Sequence, residues 1–139
     1  MEEIIPESKT ILIVDDEETV CDFFQAVFAR EGFRVICVTN GKSAVDRLKS
    51  KTYRIDLLIL DLMMPGYSGY DVLKELQHPD FKDIPIFINT ARALDQGTIE
   101  MIKLESNVRG YWQKPVDIID MVKKAHEVLG TTPRQKPSF

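Results

Sequence analysis

Four consecutive apolar residues, Leu57 to Leu60, stop abruptly on a carboxylate, Asp61, and the Pro65-Gly66 turn signal follows within four residues. An apolar run this short and uniform, bounded by breakers, suits a strand buried on both faces of a parallel sheet. Asp61 then stands at the carboxyl end of a central strand, the rim outside which open α/β sheets bind their ligands. A charge in that position disfavours folding unless something uses it.

The same rhythm runs through the rest of the chain. Residues 10–14 (Thr-Ile-Leu-Ile-Val) form a β-rich run that stops at Asp15-Asp16-Glu17-Glu18. Val20, Phe23, Phe24, Val27 and Phe28 then recur at the spacing of one buried helical stripe, and Gly32 closes that helix. Residues 33–38 make a second strand, and Asn40-Gly41 turns into a helix burying Ala44, Val45 and Leu48. After the Asp61 strand, Ser68 is a natural N-cap for a helix holding Val72, Leu73 and Leu76, which Pro79-Asp80 breaks. Residues 84–88 read as a fourth strand ending in Asn89-Thr90-Ala91, and the spacing predicts a helix over 94–105 that buries Ile99 and Ile102, with Met101 a further candidate. Asn107 suits a left-handed cap after it. Residues 110–113 form a short fifth strand, and Lys114-Pro115 leads into a last helix with Ile118, Met121, Val122, Ala125 and Leu129 inward. Residues 1–8 read as a polar leader, 9–129 as the folded unit, and 130–139 as a polar, proline-broken, mobile tail. Strict β-α alternation repeated five times implies right-handed crossovers and a parallel sheet covered by helices on both faces.

Composition narrows the function classes. At 139 residues the chain suits one domain, and its net charge of -4 argues against direct nucleic-acid binding. The acidic start lacks the features of a signal peptide, and no apolar run approaches the roughly 18 residues of a membrane span. No membrane contact and a cytoplasmic location are therefore expected. Cys21 and Cys37 lack metal-like spacing and read as free, buried thiols in a reducing compartment.

The polar residues at the strand ends carry the chemistry. Strand one supplies Asp15 and Asp16, strand three Asp61, strand four Thr90 and strand five Lys114. Carboxylates at ~4 Å repel by roughly 4 kcal/mol per pair at an effective dielectric near 20, so the crevice must take up a proton or a cation. Hard oxygen donors without nearby His or Cys point to Mg²⁺. Lys114 offers a point charge and Thr90 a hydroxyl to phosphate oxygens. Such a crevice is built for a metal and a phosphoryl group.

This ordered set resembles the response-regulator receiver domains of bacterial two-component signalling. The resemblance covers about residues 9–129 and rests on Val-Asp-Asp-Glu, Leu-Asp-Leu-Met-Met-Pro-Gly-Tyr-Ser-Gly, Asn-Thr-Ala and Tyr-Trp-Gln-Lys-Pro. It implies a flavodoxin-like, doubly wound (βα)5 fold and a signalling switch rather than a turnover enzyme. Asp61 would accept a phosphoryl group from a sensor histidine kinase or phosphotransfer protein. Asp15, Asp16, Asp61 and the Met63 carbonyl would hold Mg²⁺, Thr90 and Tyr111 would switch, and Lys114 would complete the catalytic set. The fourth helix, fifth strand and fifth helix would form the readout surface, open to a homodimer. Met63 and Arg92, each two residues beyond a key position, are expected to shield the phosphoryl group and lengthen its life. The usual Gly-Ala pair before the fifth strand is replaced by Asn107-Val108. Two rivals fit less well. An Asp-nucleophile phosphohydrolase needs an acid where Met63 stands, and a flavin or nucleotide binder needs glycines where Asp15-Asp16-Glu17-Glu18 stands.

Overall fold

The computed structural model describes residues 3–91 and 93–133. After one 3-10 turn at Pro6–Ser8, strands and helices alternate as β1 (Thr10–Val14), α1 (Glu18–Arg30), β2 (Arg34–Val38), α2 (Gly41–Ser50), β3 (Leu57–Leu60), α3 (Gly69–Glu75), β4 (Ile86–Thr90), α4 (Gln96–Lys103), β5 (Val108–Gln113) and α5 (Ile118–Leu129). The strands form one parallel sheet in the order β2-β1-β3-β4-β5. Every residue of β1, β3 and β4 is buried, as strands at the centre of a doubly covered sheet are.

Alternation along the strands sorts the core into two layers. Leu12, Val14, Leu58, Leu60, Ile86 and Ile88 face α2, α3 and α4, meeting Ala44, Leu48, Val72, Leu76 and Ile102. Ile11, Ile13, Leu57, Ile59, Phe87 and Trp112 face the other way and meet Phe24 and Phe28 of α1 and Met121 and Ala125 of α5. In β5 the register slips: Val108 pairs with Ile86 but Gly110 with Phe87, leaving Arg109 as an extra residue. Val108 and Tyr111 therefore share the α2/α3/α4 side, while Trp112 takes the α1/α5 side.

Several expectations need correction. Phe23 is exposed, because α1 turns Cys21, Phe24 and Phe28 inward and the centre of that stripe leaves Phe23 outside. Met101 is exposed as well, and α4 buries Ile102. That helix begins later than the apolar spacing suggests, since the Asp95 carboxylate accepts from the Thr98 N–H and caps it. Asn107 is not left-handed: among the described non-glycine residues only Lys51 has a positive φ, 55°. Asn107 is buried instead, donating to the Leu76 carbonyl and accepting from Gln77, so it fastens the start of β5 to the end of α3. Val108, bulky for its place, packs into the core.

Cys21 and Cys37 are not free thiols but a disulfide, their Cα atoms 6.0 Å apart across α1 and β2. Sequence spacing alone could not reveal that proximity. His126 is buried between Glu31 and Thr131. Ile4 of the leader forms a bridge with Thr131. The residues of the expected mobile tail from 134 onward lie outside the described ones.

Candidate functional site at the carboxyl rim of the sheet

Four strands end on the residues that build the site. The β1 and β3 ladders run one step past their last strand residues, with the Asp15 N–H donating to Val38 and the Asp61 N–H to Val14. Asp15 and Asp61 thus sit side by side at the rim, only 2 % and 3 % exposed. The backbone N–H of Lys114 donates to the Thr90 carbonyl and extends β5 beside β4 in the same way. Behind Asp61, Gly69 lets α3 start against the backbone of Asp61 and Leu62, where a Cβ would collide with both.

The two buried carboxylates are held alike. One oxygen of Asp15 accepts from the Glu17 N–H at 2.9 Å, and one oxygen of Asp61 accepts from the Met63 N–H at 3.0 Å. Their other oxygens share a single cation: the Lys114 Nζ lies 2.8 Å from Asp15 Oδ2 and 3.3 Å from Asp61 Oδ2. Glu17 contributes a further carboxylate oxygen 3.7 Å from that ammonium, a contact the sequence reading did not assign. Burial pushes the Asp15 carboxyl pKa up, and the Lys114 and Glu17 hydrogen bonds only partly offset this. Burial works to lower the Lys114 pKa, but the hydrogen bond and charge of Asp15 and the charge of Asp61 outweigh it, so the ammonium stays charged.

One ammonium does not neutralise the rim. Asp16, exposed at the mouth, brings its carboxylate to the other two, and one ligand atom from each of Asp15, Asp16 and Asp61 lies within 4.8 Å of the rest. All these donors are hard oxygens, which suits a divalent cation of the magnesium kind. Thr90 is fully buried, yet among the described residues its hydroxyl oxygen has no hydrogen-bond partner. A buried hydroxyl without a partner costs free energy until an acceptor arrives, as an incoming phosphoryl oxygen would.

The structure therefore brings together the side chains of Asp15, Asp16, Asp61 and Lys114, and it ties the Thr90 backbone to Lys114 at the same rim. Tyr111 is half-buried against the α2/α3/α4 core, and the Met63 side chain is exposed beside Asp61. Arg92 lies outside the described residues. A cleft of about 790 Å³ opens at the opposite rim among Lys9, Arg54, Asp56 and Asp83, away from these groups. Among the described residues no helix is long and apolar enough to cross a membrane.

Comparison with known proteins agrees with this geometry. The sequence profile of the family described as "Response regulator receiver domain" matches residues 11–126. The response regulator SaeR of Staphylococcus aureus is 35% identical over 119 residues, 86% of this chain and 50% of that protein. The chain thus spans about half the length of the curated relatives it matches. Among solved structures, the response regulator TrrA of Thermotoga maritima, in complex with Mg(2+)-BeF, superposes with a TM-score of 0.74 at 28% identity, covering 87% of this chain and 99% of that one. The Vibrio cholerae chemotaxis protein CheY4 shares the fold, with a TM-score of 0.75 at 23% identity over 87% of this chain and 98% of that one.

Proposed function

The chain belongs to the response-regulator receiver domains, and on that premise we propose that it takes a phosphoryl group from a histidine kinase onto the Asp61 carboxylate. The observation that carries this residue assignment is the Lys114 ammonium, shared by the buried Asp15 and Asp61 at 2.8 and 3.3 Å. The Met63 N–H and Lys114 fix one Asp61 oxygen each, which orients the carboxylate as a nucleophile. Asp15, Asp16 and Asp61, with the Met63 backbone carbonyl, would hold Mg²⁺, which spreads the negative charge developing on the phosphoryl oxygens. Lys114 and the Thr90 hydroxyl meet the remaining phosphoryl oxygens.

The domain catalyses only its own phosphorylation and slow dephosphorylation, as a cytoplasmic switch. Thr90 and Tyr111 carry the change to the face formed by α4, β5 and α5. That face exposes Met101, Leu104 and Ile119 at 71%, 83% and 81%, an apolar surface suited to a partner or a second copy. Met63, and by the same reasoning Arg92, slows hydrolysis by screening the phosphoryl group from water.

Intact mass after incubation with acetyl phosphate and Mg²⁺ tests the reading. Wild type gains one phosphate, and Asp61→Asn gains none. A phosphate that persists in the variant, or that forms without Mg²⁺, contradicts it. Followed over time, the adduct of Met63→Asn should decay faster than that of wild type; an unchanged or longer life removes the shielding role.

A further inference from the structure

Asn89 is a further polar residue at the rim, the last but one of β4. It is 2% exposed, and among the described residues its amide oxygen has no hydrogen-bond partner. Its place follows from the register. Val14 pairs with Leu60 and Leu60 with Ile88, so the next positions, Asp15, Asp61 and Asn89, stand level across three adjacent strands. Asn89 itself pairs with Trp112, two residues before Lys114. By alternation all of these lie on the α1/α5 side, the side of Phe87 and Trp112, while Thr90 takes the other.

Lys114 leaves from β5 yet delivers its ammonium to the ends of β3 and β1, so its stem must cross the end of β4. Strands spaced about 4.8 Å apart leave no other short route. Asn89 is the β4 residue on that side of the crossing. A buried acceptor, without a donor among the described residues, therefore stands near the end of the strand that lies between β5 and the carboxylates Lys114 reaches.

We propose that Asn89 is a positioning residue for Lys114, its amide oxygen taking an ammonium N–H once Asp61 is phosphorylated and so fixing the cation on the phosphoryl group. This rests on the reading of Asp61 as phosphoacceptor. Phosphorylation converts the Asp61 carboxylate into an acyl phosphate and shifts the ammonium toward the phosphoryl oxygens. The hydrogen bond that the ammonium gives up at Asp61 is then replaced at Asn89. Until that moment the amide oxygen is a buried polar group without a bond, so the resting fold carries the cost and the phosphorylated state is relieved of it.

Beryllofluoride with Mg²⁺, a phosphoryl mimic, gives a test that separates this role from a structural one. Three quantities are read in wild type, Asn89→Leu and Asn89→Ala: beryllofluoride affinity, thermal stability of the unliganded protein, and the ¹⁵N-detected Lys114 ammonium signal. Wild type binds the mimic, and its ammonium protons become protected from exchange. Asn89→Leu, which keeps the volume and removes the acceptor, should bind about tenfold more weakly, as loss of one hydrogen bond to a charged group implies. Its Lys114 signal should stay exchange-broadened, while its unliganded stability equals or exceeds that of wild type. Asn89→Ala should show the same loss of affinity and protection should the leucine fit poorly. Wild-type affinity and protection in both variants overturn the proposal, as does lost stability with an unchanged Lys114 signal. If wild type itself neither binds the mimic nor takes a phosphate, the phosphoacceptor reading falls with it, whereas failure confined to the variants removes Asn89 alone.

Discussion

Lys114 sets one positive charge among buried and half-exposed carboxylates, and the residue-level chemistry of the rim follows from that imbalance. Thr90 is the neutral counterpart, a fully buried hydroxyl oxygen without a partner among the described residues. Replacing it by valine keeps the shape and removes an unsatisfied polar atom. Thr90→Val should therefore be as stable as wild type or up to about 1 kcal/mol more stable in urea unfolding. Its Tyr111 ring signals should no longer move when beryllofluoride is added. A loss beyond about 2 kcal/mol would mean the hydroxyl already has a bond in the resting protein, against this account. Asp61, Asp15, Asp16 and Lys114 are legible in the sequence because each stands just past the carboxyl end of a β-rich run. Asn89 is not, because a polar residue one step before Thr90 looks like part of the strand-ending loop until register and facing are known.

At the scale of elements, strands β1 and β3 were readable to the residue, since each is an apolar run cut off by an acid. The fourth strand lies later than its apolar run suggests and runs on through Thr90, where Asn89 and Thr90 are polar but buried. α4 is shorter than apolar spacing suggests because its start depends on a side-chain cap. That cap gives a pH prediction. The Thr98 N–H, and then its hydroxyl, hold the Asp95 carboxyl below its ordinary value of 3.8. A depressed folded pKa contributes stability that is present above the unfolded value and lost as pH falls through the folded one. Amide protection in α4 should hold steady from neutral pH to about 4 and fall below it, with a flatter profile in Asp95→Asn, which keeps a capping oxygen but cannot titrate. Protection that declines between pH 7 and 5 would speak against this cap. The start of α3 is tested by Gly69→Ala, whose Cβ would meet the backbone of Asp61 and Leu62. Overpacking of that kind costs about 1–3 kcal/mol, and here it also displaces the nucleophile, so phosphorylation should slow together with the loss of stability.

For the molecule as a whole, the two-layer core fixes the strand ends, and the strand ends concentrate charge that the folded protein holds at a cost. Binding a cation there should repay part of that cost through linkage. At about one hundred times its Kd, Mg²⁺ should add about 2.7 kcal/mol to the stability of wild type and much less to Asp16→Asn. A melting temperature unmoved by Mg²⁺ in wild type, or moved equally in both proteins, would place the metal elsewhere. The overall topology was legible because five apolar runs alternate with helical spacing. The disulfide, the β5 bulge and the buried Glu31-His126-Thr131 contact were not, since each depends on residues brought together only by packing. The central claim is that phosphate arrives on Asp61. Phosphorylation with acetyl phosphate and Mg²⁺, borohydride reduction of the acyl phosphate to homoserine, and peptide mapping locate the modified residue directly. This account predicts homoserine at position 61 alone; homoserine at 15 or 16, or phosphate retained on a histidine, would contradict it.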